Sequence, residues 1–146
     1  VLAAAGLRRL GLLDGTGGVP LEPAVMTPAP GQGALAVECR TDDADLRAAL
    51  ELLEDRTTRL AVTAERVVLA DLEAGCAAPL GALGSVIGDH LHLDVVVLRP
   101  DGTDQIRTSA AVPLPPDPAD QHEAALALGQ DVARRMLAAG ASELGG

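Results

Sequence analysis

Apolar positions recur at two periods along this chain, first helical and later alternating. Leu2, Ala5, Arg9 and Leu12 share one side of a short helix over residues 1–12. Gly11 and the run Asp14-Gly15-Thr16-Gly17-Gly18 close it. Pro20, Pro23, Pro28 and Pro30 forbid helix and predict an extended linker over residues 19–30. The short apolar run over 34–40 then predicts a strand. Thr41-Asp42-Asp43 offers caps for a helix over 44–54 with Leu46, Leu50 and Leu53 as its stripe. A second helix, capped by Thr57 or Thr58, is expected to run to about residue 74. Leu60, Val62, Val67, Leu69 and Leu72 form its expected inward face, which leaves Arg59, Glu65, Arg66 and Glu73 for a solvated one.

Past Gly75 the period changes. Residues 83–87, 90–97 and 105–112 read as strands, with turn signals at Gly88-Asp89 and Asp101-Gly102-Thr103. Connections this short imply an antiparallel meander. Residues 114–118 are proline-rich, and a long helix follows over 119–139 with Ala125, Leu128, Val132 and Met136 inward and Gly140 at its end. The expected fold class is therefore α+β: a three-stranded antiparallel sheet with helices on one face, formed from about residue 55 onward. Residues 1–54 make no obvious core of their own. A helix that begins at Val1 with no capping residue suggests a piece of a longer protein.

Composition narrows the function classes. Of 146 residues, 48% are hydrophobic, enough for a core, yet none is aromatic. No base-stacking platform is available, and a net charge of −10 opposes binding to nucleic acid or an anionic membrane. No apolar run approaches the roughly 20 residues of a membrane span. All eleven basic residues are arginine, which excludes a lysine Schiff base and favours planar, bidentate carboxylate recognition. Two distant cysteines, Cys39 and Cys76, make no disulfide framework, so a cytoplasmic setting is expected. His90, His92 and His122 show no zinc-type spacing, and His90 and His92 read as surface residues of one strand.

Two short stretches carry candidate chemistry. Cys76 follows the helix-ending Gly75 and precedes Pro79 among small residues, a turn that can display a thiol to a cleft. A small buried hydrophobe is the commoner fate of such a cysteine, and it is the reading given to Cys39 in its strand pattern. In Pro30-Gly31-Gln32-Gly33 the glycines either make a plain turn or let the backbone pass close to a ligand.

Four blocks in order go beyond generic pattern: GLRRLGL (6–12), PAPGQGALAVECR (28–40), TRLAVTAER (58–66) and LEAGCAAPLGAL (72–83). Together they resemble porphobilinogen deaminase, also called hydroxymethylbilane synthase, and the likeness runs over nearly the whole chain. It implies a transferase of tetrapyrrole (heme and porphyrin) biosynthesis that joins four porphobilinogen molecules into hydroxymethylbilane with release of ammonia. The growing product is built on a covalent dipyrromethane cofactor, and the cysteine matched by Cys76 holds that cofactor through a thioether. Arg9 matches an arginine that binds acetate and propionate arms, and Gln32 and Gly33 match a segment that approaches the cofactor. Arg8 is a weaker match, while Arg40, Arg59 and Arg66 are at least as well explained by structural roles, with ion pairing or a domain contact expected at Arg66.

The resemblance also implies a domain plan. Residues 1–33 would end the middle domain and form the interdomain linker, residues 34–54 would give a strand and helix to the N-terminal domain, and residues 55–146 would be the cofactor-anchoring α+β domain. The first two are partial segments of two α/β domains, expected in isolation to pack poorly or to pack against other chains. The family's catalytic aspartate lies in an N-terminal part that this chain does not contain, so no catalytic residue is assigned here and the fragment alone is expected to be inactive. Expected partners are porphobilinogen and the missing N-terminal part, with no nucleic acid, no membrane and a monomeric parent. Two other readings compete: a noncatalytic small-molecule-binding or assembly module, and a cysteine hydrolase with His90 as base.

Overall fold

Side-chain caps set the helix starts in the computed structural model, which describes residues 1–72 and 79–144. The elements in order are α1 (Ala4–Arg9), α2 (Ala44–Glu51), α3 (Arg56–Asp71), β1 (Leu80–Ile87), β2 (His90–Leu98), β3 (Gln105–Pro113), α4 (Pro118–Ala138) and α5 (Ala141–Leu144). Asp43 caps α2 by accepting the Leu46 N–H at 3.0 Å. The cap of α3 is Asp55 and neither threonine: its carboxylate accepts the Thr58 N–H at 2.8 Å and the Thr57 hydroxyl at 2.7 Å. A carboxylate placed just before the first turn reaches those N–H groups and complements the positive helix end. Asp117 caps α4, whose first residue is Pro118. Beyond its C-terminus, Gly140 takes φ +91°, the left-handed conformation that ends a helix.

The three strands form one antiparallel sheet in the order β1-β2-β3. Because side chains alternate across a strand, Leu80 and Ala82, Leu91, Leu93, Val95 and Val97 fall on one face, with Ile106, Ala110 and Val112 continuing it. Helices α3 and α4 cover that face, and Val68, Val132 and Met136 complete a core with no aromatic ring. Each fully buried leucine or valine contributes roughly 1.5–3 kcal/mol through burial alone.

The inward face of α3 differs from the expected one. Leu60, Ala61, Ala64, Glu65 and Val68 are buried, while Val62 and Val67 are only half-buried. Close approach of backbones decides this. A β-carbon on Gly84 of β1 would lie 2.7 Å from Ala61 Cα, and one on Gly129 of α4 would lie 2.7 Å from the Ala64 carbonyl oxygen. The helix turns its smallest residues toward strand and helix, and the valines are displaced to the flank.

Ahead of α3 the chain buries nothing: no residue before Leu60 is buried. The strand expected over 34–40 is absent. That stretch pairs with no strand among the described residues, and Leu35 and Val37 are exposed. On the open edge of β1, the Ala82 and Gly84 N–H groups are already engaged, by Pro28 of the linker and by Glu65.

Candidate functional site

The best-defined feature around the expected site residues is a buried carboxylate that the sequence pattern assigned to solvent. Glu65 is 5% exposed. One oxygen, Oε1, accepts the Gly84 N–H on the edge of β1 at 2.6 Å. The other, Oε2, accepts the N–H of Gly31, in the linker, at 2.6 Å. Burial raises the carboxyl's pKa above the ordinary glutamate value, opposed by these two hydrogen bonds. Both oxygens act as acceptors, the arrangement an ionised carboxylate supports.

Around Glu65 the linker is laid along the sheet. The Pro28 carbonyl accepts the Ala82 N–H at 2.8 Å, next along the same edge. Gly81 lets the linker come near, since a β-carbon there would lie 2.8 Å from the Thr27 carbonyl oxygen. On the sheet face away from the helices, Arg107 donates to Asp94 at 2.6 Å, to Thr27 Oγ1 at 2.9 Å and to the Ala24 carbonyl at 3.2 Å. Ser109 donates to the other oxygen of Asp94 at 2.8 Å.

Two consecutive turns then shape the GQG segment. The Gln32 N–H donates to the Ala29 carbonyl at 3.0 Å, with Pro30 second in the turn and Gly31 third at φ +73°. The Ala34 N–H donates to the Gly31 carbonyl at 3.2 Å, with Gly33 third at φ +89°. Both glycines are thus needed for the turns. Gln32 and Gly33 are nevertheless exposed, and a β-carbon on Gly33 would meet nothing within 4 Å. The Gln32 side-chain oxygen accepts the Ala29 N–H at 3.2 Å, so its Nε2 hydrogens are the donors left for another group.

The remaining expected residues are not gathered with these. Arg9 is exposed on α1, and every hydrogen bond described for residues 1–18 stays within that segment. Cys76 lies outside the described residues; the elements on either side of it end at Asp71 and begin at Leu80. Cys39 is half-buried in irregular chain, away from the core. Arg40 pairs with Asp42 at 3.3 Å and Arg59 with Glu54, both at the surface, and Arg66 is exposed.

His90 engages Asp89 at 2.7 Å in the β1–β2 turn. That turn is at the far end of β1 from Pro79, roughly 23 Å along the strand at its usual rise. The hydrolase reading gains no base from this placement. No group of three metal-ligating side chains occurs among the described residues, and none of the described helices is long and apolar enough to cross a membrane.

Glu65, Thr27, Asp94 and Arg107 were not found from sequence. The available signal for Glu65 was its position: it lies one turn from both Ala61 and Val68 and next to Ala64, on the small-residue side of the helix.

Comparison with known families matches two parts of the chain. Residues 59–138 match the porphobilinogen deaminase C-terminal domain, and residues 1–48 match the porphobilinogen deaminase dipyromethane cofactor binding domain. The chain is 49% identical over 152 residues to porphobilinogen deaminase 1 of Streptomyces avermitilis, covering 100% of this chain and 45% of that protein. It is 50% identical over 151 residues to porphobilinogen deaminase 1 of Streptomyces coelicolor, covering 100% and 46%. For the porphobilinogen deaminase of Mycobacterium tuberculosis the values are 52% over 118 residues, covering 75% and 38%. The chain spans less than half the length of these curated relatives.

Proposed function

The chain belongs to the porphobilinogen deaminase family, and on that premise we propose that it acts as the C-terminal part of a cytoplasmic, monomeric porphobilinogen deaminase. The whole enzyme joins four porphobilinogen molecules into hydroxymethylbilane and releases ammonia. The observation that carries this reading is the pair of family matches in order, 1–48 and 59–138, with the GQG segment of the first hydrogen-bonded to Glu65 of the second. Residues 1–33 serve as the end of the middle domain and linker, residues 34–54 belong with the N-terminal domain, and residues 55–146 anchor the cofactor. The catalytic aspartate comes from the remainder of the enzyme, and this chain alone is inactive.

Cys76 is the anchor. Its Sγ replaces the amine at an aminomethyl carbon: a C–S bond forms, a C–N bond breaks, and the thiol proton leaves with the amine as ammonia. Once bound, the dipyrromethane supplies the primer on which the product is extended. The residues present fit such a group. Gly33 offers open, exposed backbone that a flat ring can approach, and Gln32 has amide hydrogens to give to a carboxylate arm. Arg9 supplies a guanidinium suited to bidentate carboxylate binding.

Mass spectrometry of a full-length enzyme carrying this chain tests the reading. The expected result is a covalent dipyrromethane adduct that disappears in Cys76→Ser. An adduct retained by that variant overturns the anchor assignment.

A further inference from the structure

Glu65 has no part in the roles above, yet its side chain accepts a hydrogen bond from the GQG segment. Its two oxygens are divided between two backbones distant in sequence, Gly31 of the linker and Gly84 of β1. Each partner is a glycine for a separate reason: Gly31 needs its positive φ, and Gly84 needs contact with Ala61. The two N–H groups therefore converge on one carboxylate because strand β1 packs tightly on the helix at Gly84 and the turn at Gly31 takes a conformation that glycine allows. Upstream, the linker is held by the hydrogen bond from Ala82 to Pro28 and by those from Arg107 to Thr27 and Ala24. Downstream, Gln32 and Gly33 project from the tied residue without burial.

We propose that Glu65 is a positioning residue, whose carboxylate ties Gly31 to the edge of β1 and so sets Gln32 and Gly33 in register with the strand that follows Cys76. The role rests on the reading of Gln32 and Gly33 as cofactor contacts. Glutamine at this position keeps the size of the side chain but turns one acceptor into a donor, which then faces a backbone N–H. One of the two ties is lost while the surrounding packing volume is kept.

Hydrogen exchange on this chain tests the tie. In the unsubstituted protein the Gly31 amide is expected to exchange at least about tenfold more slowly than that of Gly33. In Glu65→Gln the Gly31 or Gly84 amide accelerates by a similar factor, while the amides of β2 do not. Equal rates for Gly31 and Gly33 in the unsubstituted chain overturn the proposal, and that comparison decides the matter even where the variant does not fold. Unchanged Gly31 and Gly84 rates in folded Glu65→Gln overturn it as well.

A full-length enzyme carrying this chain tests the positioning. Glu65→Gln is expected to keep the adduct mass on Cys76 and the KM for porphobilinogen within about twofold, and to lose about tenfold in kcat. Accelerated Gly31 exchange with unchanged kcat leaves a tie but no positioning role. An adduct that survives Cys76→Ser overturns the underlying cofactor reading instead and leaves the exchange result standing.

Discussion

Asp55 and Glu65 are carboxylates of the same helix region, and they are expected to move the acid stability of the protein in opposite directions. The Asp55 carboxyl is held below its ordinary value of 3.8, first by the Thr58 N–H and then by the Thr57 and Thr58 side chains. The folded state binds its proton more weakly than the unfolded state does. The contribution is therefore present above 3.8 and lost as pH falls through the lowered value. Glu65 is raised, chiefly by burial. Its contribution is complete below the ordinary 4.5 and is lost as pH rises through the raised value. Urea unfolding across acid pH separates them. Asp55→Asn, which still caps the helix but does not titrate, is expected to flatten the loss on the acid side. Glu65→Gln is expected to flatten the loss on the other side, and a stability curve parallel to that of the unsubstituted protein contradicts the assignment. Neither role was legible in the residues themselves. Asp55 competed with two threonines for one cap, and the polarity of Glu65 argued for solvent until Gly31 and Gly84 were brought to it from afar.

At the scale of elements, the glycines that let α3 approach its neighbours are the sensitive points. A β-carbon on Gly84 would overlap Ala61, and one on Gly129 would lie 2.7 Å from both the Ala64 carbonyl oxygen and Val67 Cβ. These contacts are with backbone or stiff side chains, so they do not yield cheaply. Gly129→Ala is expected to destabilise the domain by about 1–3 kcal/mol, read from the urea midpoint at constant m. Gly102→Ala serves as the comparison, because its added carbon meets nothing and its cost comes only from its φ of +75°. The meander and α4 were legible in sequence because alternation, Asp-Gly turns and helical period act within neighbouring residues. The inward face of α3 was not, because it depends on two glycines in other elements. The strand expected over 34–40 failed for a related reason: an apolar run supplies strand propensity, but a ladder needs a partner edge, and the edge of β1 is taken by Pro28 and Glu65.

Across the whole molecule, burial and attachment separate cleanly. Every buried residue lies from Leu60 onward, while Leu2, Val19, Leu35, Leu52 and Leu53 are exposed earlier in the chain. The expectation that residues 1–54 form no core of their own was legible from the prolines and short periodic runs. What sequence did not show is that residues 24–31 are nonetheless fastened to the domain at both ends. Arg107 holds Ala24 and Thr27 over the outer sheet face, and Glu65 holds Gly31 at the edge. Limited proteolysis should therefore sort the first half of the chain into two classes. Cuts within 1–18 and 34–53 are expected first, because those backbones make only local hydrogen bonds. Residues 24–31 are expected to be cut later, by several-fold, than either flank. Arg107→Ala removes one fastening and leaves the sheet register intact, so it should abolish the delay around Ala24 and Thr27 while sparing the delay near Gly31. Cleavage of residues 24–31 at the same rate as 1–18 in the unsubstituted protein would show that the linker is not held to the domain.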